Sequence, residues 1–224
     1  MGLLASGGMD YFIKPGYRCN ERPAPYPDTE EDSATYQVDV YRYAADVAAA
    51  RHARNLIDVG CGYGLKLARF LAPLGVDIVG IDSAHAIEFC RREHRFGSWY
   101  VDDLEAPKLR LERRFDLVIS SDVIEHLIDP DNLLRYIRGV SHASTVIVLS
   151  TPERDLRRGS ESMGPPQNPA HVREWNQAEL AGYLGDRGFR VLEHRIVDLK
   201  AGMRTCQTLL CRLSPPADPA MRST

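Results

Sequence analysis

The sequence predicts an α/β fold in which helices cover both faces of a mostly parallel, seven-stranded sheet. Short runs rich in Val, Ile and Leu alternate with segments of helical periodicity, which is the pattern of a parallel sheet. The last two runs follow each other without a helix between them, so an antiparallel hairpin is expected to close the sheet. The 224 residues, of which 44% are hydrophobic and 26% charged, fit one globular domain.

The first 32 residues are expected to form an arm or lid that lies over the domain. Between Asp10 and Asp32 stand four prolines together with three tyrosines, and proline both lacks an amide hydrogen and blocks a helix interior. From Ser33 to His52 apolar residues recur at helical spacing, and Ser33 is predicted to cap this helix. The domain proper is predicted to span 33–213. The tail 214–224, with three prolines, is predicted to be disordered.

The remaining elements follow the same alternation along the chain. The pair Asp129-Pro130 marks one helix start well, because Asp is a favoured N-cap and proline suits the first helical position. Strands are predicted at 55–59, 77–82, 98–101, 115–120, 145–150, 189–197 and 206–213, and helices at 65–74, 84–94, 130–138 and 177–186.

A glycine-rich loop, 58–64, joins the first strand to the next helix. Glycines there let the backbone turn sharply and approach a ligand. A dinucleotide-binding loop would need its third glycine at position 65, where this chain has Leu65, so a dehydrogenase is disfavoured. The carboxylate of Asp58 at the strand end opposes a pyrophosphate and favours a ligand that carries positive charge.

The loop sequence D-V-G-C-G-Y-G resembles the first motif of class I S-adenosylmethionine-dependent methyltransferases, whose fold is Rossmann-like. Further similarity extends from about residue 55 to 213. The resemblance implies that Asp82 accepts both ribose hydroxyls, and that Asp103, with Asp102 as the alternative, meets the adenine amine. It also implies a role for the Leu104 amide at an adenine ring nitrogen. The implied donor site comprises Asp58, Gly60, Cys61, Gly62, Gly64, Asp82, Asp103, Leu104 and Ser120.

A second group of polar residues follows the fourth strand. Asp122, Glu125 and His126 would share one face of a helical turn. With His171 from the segment H-V-R-E-W, this group resembles the metal site of small-RNA 3′-end 2′-O-methyltransferases, although Asp122 replaces a longer glutamate. The turn also resembles ubiquinone-pathway O-methyltransferases.

Three interpretations of this group stay open. Glu125 and His126 cap and pack, or His126 acts alone as a general base, or Asp122, Glu125, His126 and His171 bind a divalent metal ion. The candidate ions are Mg, Mn, Fe, Co and Zn, because mixed carboxylate and imidazole ligands suit all of them.

The long segment 151–169 between the fifth strand and His171 is predicted to be a substrate loop, because structureless loops of this length are usually functional or disordered. Arg154, Arg157 and Arg158 within it either contact a phosphate or carboxylate of the substrate or are simply solvated.

The preferred function is methyl transfer from S-adenosylmethionine to a hydroxyl oxygen of a small molecule, such as a sugar or a natural-product intermediate. RNA 2′-O-methylation, N-methylation and a non-catalytic donor-binding protein are the alternatives. The net charge of −3 disfavours nucleic acid as a partner. No membrane span, no secretory signal and no disulfide framework are recognised, so the cytoplasm is the expected compartment. The oligomeric state stays open.

Overall fold

Seven strands form one sheet in the order β3-β2-β1-β4-β5-β7-β6 in a computed structural model, which describes residues 11–26 and 29–215. The first five strands run parallel to one another, whereas β7 runs antiparallel to both β5 and β6. The predicted mostly parallel sheet with a closing antiparallel hairpin is therefore confirmed. The strands are β1 (Asn55–Val59), β2 (Asp77–Asp82), β3 (Gly97–Val101), β4 (Phe115–Ser121), β5 (Ser141–Pro152), β6 (Phe189–Val197) and β7 (Cys206–Leu213).

The helices lie on both faces of this sheet, as the sequence predicts. They are α1 (Glu30–Thr35), α2 (Val38–Ala50), α3 (Ala84–Glu93), α4 (Pro130–Gly139), α5 (Arg154–Arg158) and α6 (Gln177–Asp186), with a π-helical turn at Leu67–Leu71 and 3₁₀ turns at Ala72–Leu74 and Ile124–His126.

The helix predicted from Ser33 to His52 is instead two helices. The backbone of Gln37 adopts a left-handed conformation, with φ of 55°, and its amide donates to the carbonyl of Leu199 rather than continuing the helix. Thr29 caps α1 by accepting a hydrogen bond from the amide of Asp32. Ser33 is consequently a buried residue inside α1, so its predicted capping role is wrong.

Two apolar clusters, one on each face of the sheet, form the core. Successive strand side chains point to opposite faces, so Leu56 joins the cluster under α2 and α3, whereas Ile57 joins the cluster under α4 and α6. The second cluster contains Trp175, whose ring stacks on Tyr183. No helix of the described ranges is long and apolar enough to cross a bilayer.

Residues 11–26 run along the loop that precedes His171. Backbone amides of Arg18, Asn20 and Ala24 donate to carbonyls at 163, 172 and 169, respectively. The indole of Trp175 also donates to the carbonyl of Tyr11. The rest of the predicted arm, 1–10, 27 and 28, and residues 216–224 of the predicted disordered tail lie outside the described residues.

Candidate active site

One large cavity, of about 1450 Å³, opens at the carboxyl ends of the parallel strands. Ligand pockets usually enclose roughly 300–1,000 Å³, so this cavity has room for two small molecules. One part of its wall, which we name the loop end, consists of Gly60, Cys61, Gly62, Tyr63, Asp82, His85, Asp103 and Leu104. Another part, the histidine end, consists of Tyr26, Tyr36, Gln37, Asp122, Glu125, His126, Arg157, Asn168 and His171.

The glycines of the loop are required by its backbone. Gly60 has φ of 91°, and a Cβ atom there would lie 2.3 Å from a methyl carbon of Val123. Only glycine therefore allows the loop to approach the segment that leads to His126. The amide of Gly62 donates to a carboxylate oxygen of Asp82 at 2.8 Å, which ties the loop to the end of β2.

Asp58 supports this loop from beneath and does not line the cavity. Its side chain is fully buried, and one carboxylate oxygen accepts a hydrogen bond from the Tyr41 hydroxyl at 2.7 Å. The other oxygen has no hydrogen-bond partner among the described residues. Burial raises the pKa of Asp58 to about 7, although the Tyr41 hydrogen bond and Lys66 oppose that shift.

The two predicted adenine-binding acids differ in how they are engaged. The Asp102 carboxylate accepts hydrogen bonds from the amides of Asp103, Lys108 and Leu109 and so organises its own loop. Asp103 lines the cavity and accepts only the amide of Glu105 among the described residues. This difference favours Asp103 over Asp102 as the residue available to a ligand.

Besides Asp58, two further predicted donor-site residues lie away from the cavity wall. Gly64 forms a turn of the loop behind the cavity wall. Ser120 is buried in the protein away from the cavity. Ser121 lines the cavity instead, with its hydroxyl 2.9 Å from that of Ser150. Successive side chains of a strand point to opposite faces, so the side chain of Ser121 faces the cavity whereas that of Ser120 does not.

The predicted helical turn begins later than the sequence suggests. Asp122 has a left-handed backbone, with φ of 53°, and only Ile124–His126 are helical. Its carboxylate accepts hydrogen bonds from Ser150 and from the Gln37 side chain. The prediction that Asp122 shares a helix face with Glu125 and His126 is therefore wrong.

Glu125, His126 and His171 come together across 45 positions of sequence. Their candidate ligand atoms all lie within 4.8 Å of one another, and Asp122 is not part of this group. The imidazole rings of the two histidines meet edge to face, with centroids 4.7 Å apart. Glu125 accepts a hydrogen bond from Thr151 at one oxygen, whereas the other oxygen has no partner among the described residues.

Hydrogen bonds fix the orientation of both imidazole rings. His126 places Nδ1 3.0 Å from the carbonyl of Ala170, and a carbonyl only accepts, so Nδ1 carries the proton and Nε2 keeps its lone pair. His171 places Nδ1 2.7 Å from a carboxylate oxygen of Glu174, with the same consequence. Its Nε2 lies 2.9 Å from the side-chain nitrogen of Asn168.

The charges of this group follow from its burial. Burial and the neighbouring His171 lower the pKa of His126 to about 4, well below the ordinary value near 6.5 that the sequence suggests. Burial and the nearby Asp122 raise the pKa of Glu125. For Glu174, burial also favours a higher pKa, but the hydrogen bond from His171 together with the charges of His171, Arg158 and Arg157 outweighs burial, so the pKa is lowered.

Comparison with known proteins gives the family. The sequence profile described as "Methyltransferase domain" matches residues 32–194, which is most of the chain. The chain belongs to the S-adenosylmethionine-dependent methyltransferases. The family and the Rossmann-like fold class predicted from the sequence are confirmed, and the predicted enzyme class is that of the family.

Relatives of this methyltransferase include a probable S-adenosylmethionine-dependent methyltransferase of Mycolicibacterium smegmatis, 31% identical over 144 residues, with 62% of this chain and 52% of that protein covered. A ubiquinone biosynthesis O-methyltransferase of Bradyrhizobium diazoefficiens is 25% identical, with 67% and 68% covered. The chain thus spans about half the length of the first relative and two thirds of the second. The CcbJ methyltransferase of Streptomyces caelestis has the same fold, with a TM-score of 0.64, 16% identity, and 89% and 98% covered.

Proposed function

We propose that this methyltransferase transfers a methyl group from S-adenosylmethionine to a hydroxyl oxygen of a small molecule, such as a sugar or a natural-product intermediate. The donor would occupy the loop end of the cavity, with its ribose against Asp82 and its adenine against Asp103 and Leu104. The relative that acts in ubiquinone biosynthesis supports oxygen as the methylated atom. The volume of the cavity supports a small acceptor beside the donor.

The observation that carries this proposal is the state of His126. Its ring lines the cavity in the neutral form, with Nε2 as the nitrogen that can accept a proton. In the proposed step the acceptor oxygen attacks the methyl carbon, and the carbon–sulfur bond breaks with its electron pair moving to sulfur. The hydroxyl becomes strongly acidic as the methyl group arrives, so a weak base suffices to take its proton.

A metal-assisted version of this chemistry rests on the donor set of the histidine end. Glu125 keeps one buried oxygen without a partner among the described residues, and both histidines keep Nδ1 protonated. These features fit a divalent ion held by Glu125, His126 and His171, without Asp122. Such an ion, when bound, would lower the pKa of an acceptor hydroxyl. Glu174 would orient His171 toward it.

The alternatives receive less support. RNA 2′-O-methylation would require a basic surface for a polyanion, and the net charge of the chain is −3. N-methylation of a small molecule is compatible with the same cavity, and an assay for the methylated atom distinguishes it. For the compartment we propose the cytoplasm, because all five cysteines are free.

Replacing His126 by Gln tests the proposal. We expect methyl transfer from labelled S-adenosylmethionine to hydroxylated probes such as catechol to slow by about 10²-fold or more, while donor affinity stays nearly unchanged. His142→Gln is the matched control, since His142 contacts Asp116 and does not line the cavity. Unchanged turnover in His126→Gln would contradict the proposed role.

A further inference from the structure

We infer that Arg157 selects acceptors that carry an anionic oxygen group, a carboxylate or a phosphate, in addition to the hydroxyl that is methylated. This inference rests on the proposed function and names the substrate class of the same cavity. The helix α5 carries three arginines, and the sequence alone does not show which of them is available to a substrate.

Arg154 has a structural role. Its side chain is 1% exposed, and its guanidinium donates to both carboxylate oxygens of Glu179, at 2.6 and 3.0 Å. A third hydrogen bond, at 2.9 Å, goes to Asp155. This bidentate pair ties α5 to the start of α6 and leaves the guanidinium unavailable to a substrate.

Arg158 is also engaged within the protein. Its side chain is 8% exposed and lies 3.1 Å from a carboxylate oxygen of Glu174. Its guanidinium donates to the carbonyl of Pro165. Arg158 therefore neutralises Glu174, the acid that orients His171, and stays off the cavity wall.

Arg157 differs from both neighbours because it lines the cavity and is 27% exposed. Its guanidinium approaches Glu174 only to 3.8 Å, which is too long for a hydrogen bond. The oxygen it approaches already accepts the Nδ1 proton of His171. Within the described ranges the guanidinium of Arg157 has no hydrogen-bond acceptor, so its five N–H donors remain for a ligand.

The local charge balance supports the same conclusion. One carboxylate, that of Glu174, lies near two guanidinium groups, those of Arg157 and Arg158, so this group of three side chains carries one positive charge in excess. Two other cationic residues line the cavity among those that the structure describes. Lys66 is buried and donates to the carbonyl of Ser33, whereas Lys108 is exposed beside the adenine-binding loop.

The position of Arg157 relative to His126 determines which group of a bound acceptor Arg157 can contact. Arg157 and His171 approach the same oxygen of Glu174, and the His171 ring contacts the His126 ring. A small acceptor with its hydroxyl at His126 can therefore extend an anionic group toward Arg157. A planar guanidinium binds a carboxylate or phosphate through two parallel hydrogen bonds, which a neutral group cannot match.

The test uses three probes that share a vicinal diol and differ in charge: catechol, 3,4-dihydroxybenzoate and 3,4-dihydroxyphenylphosphonate. Each is titrated calorimetrically into the full chain saturated with S-adenosylhomocysteine. We expect at least one anionic probe to bind about ten-fold or more tightly than catechol, as one charge-assisted contact implies. Whichever anion binds more tightly identifies the carboxylate or the phosphate as the natural group.

Arg157→Gln is expected to abolish this preference while leaving catechol affinity unchanged. The control is Arg92→Gln, which removes an exposed arginine that contacts Glu93 and does not line the cavity. Anionic probes that bind no better than catechol, a preference that survives in Arg157→Gln, or no binding of any probe would overturn the inference. S-adenosylhomocysteine is itself titrated into the chain before the probes are added, and absence of its binding would instead overturn the proposed function.

Discussion

Asp82 is the single residue on which both the shape of the loop and the proposed donor contacts depend. One carboxylate oxygen accepts the amide of Gly62 and the other accepts the amide of Ser83. Each oxygen retains a lone pair that can accept a ribose hydroxyl. We therefore expect Asp82→Ala to weaken binding of S-adenosylhomocysteine by about 2–3 kcal/mol, measured by calorimetric titration.

A second aspartate of β2 provides the control for that experiment. Asp77 stands at the opposite end of the strand and forms an exposed ion pair with Arg113. Asp77→Ala should leave donor affinity unchanged. Equal affinities in Asp82→Ala and the unmodified chain would show that this carboxylate does not contact the donor.

The metal-assisted version is tested at Glu125, because one of its oxygens has no partner in the part of the chain that the structure describes, which is the strongest reason to consider an ion there. If a metal ion binds, chelation should abolish methyl transfer and an added divalent ion should restore it. Glu125→Gln and His171→Ala should each weaken metal affinity by roughly 10-fold or more. The control is Asp122→Asn, which lies outside the three-residue group and should retain the metal.

Full activity after chelation, with no metal found by elemental analysis, would exclude the metal-assisted version. His126 would then remain as the proposed base acting alone.

Most residues of the loop end were predictable from sequence because they lie in short motifs that follow strand ends. The histidine end was only partly predictable. His126 and His171 were recognised by motif, but the left-handed backbone of Asp122 could not be read from neighbouring residues. Gln37, which donates to Asp122, comes from 85 positions away and gave no local signal. For Glu174 the sequence offers one indication that it contacts His171: it stands three positions after that histidine.

A small network of polar side chains joins α4 to the α6 region. The Asp131 carboxylate in the first turn of α4 accepts hydrogen bonds from Tyr183 and Arg187 of the α6 region. Burial disfavours the charged form of Asp131, but the hydrogen bonds from Arg187 and Tyr183 outweigh it and lower the pKa.

Asp131→Ala should therefore reduce the free energy of unfolding by about 1–2 kcal/mol at neutral pH. Because the folded-state pKa is lowered, this contribution exists above the unfolded-state pKa and disappears as pH falls through the folded-state value. Denaturant unfolding at neutral pH and near pH 3 measures it. Asp186→Ala is the control, since Asp186 is exposed and contacts only Arg187 among the described residues. If Asp131→Ala lost the same free energy of unfolding at both pH values, that result would contradict this account.

The strands were the most predictable elements, and four of seven match their predicted bounds. Each is a short apolar run bounded by turn residues, so local sequence suffices. Helices were less predictable where distant contacts intervene. The break at Gln37 depends on Leu199. The predicted helix 65–74 instead contains a wider π-helical turn followed by a tighter 3₁₀ turn, and Pro73, which lacks an amide hydrogen, lies in the 3₁₀ turn.

Two groups of parallel strands, β1 to β3 and β4 with β5, serve different parts of the cavity. The loops after β1, β2 and β3 form the loop end, whereas the segments after β4 and β5, together with residues from the N-terminal region, form the histidine end. Tyr26 of the segment 11–26 places its ring 5.1 Å from that of His126. The proposed donor and acceptor therefore meet between the loop end and the histidine end, which are formed by different segments of the chain.

A crystal structure of the full chain with S-adenosylhomocysteine tests this arrangement most directly. The quantity to measure is the distance from the ligand sulfur to the His126 ring compared with its distance to the His85 ring, because His85 lines the loop end. We predict that the ribose contacts Asp82 and that the sulfur lies closer to His126. A sulfur that faces His85, or a ligand bound outside the cavity, would contradict the account.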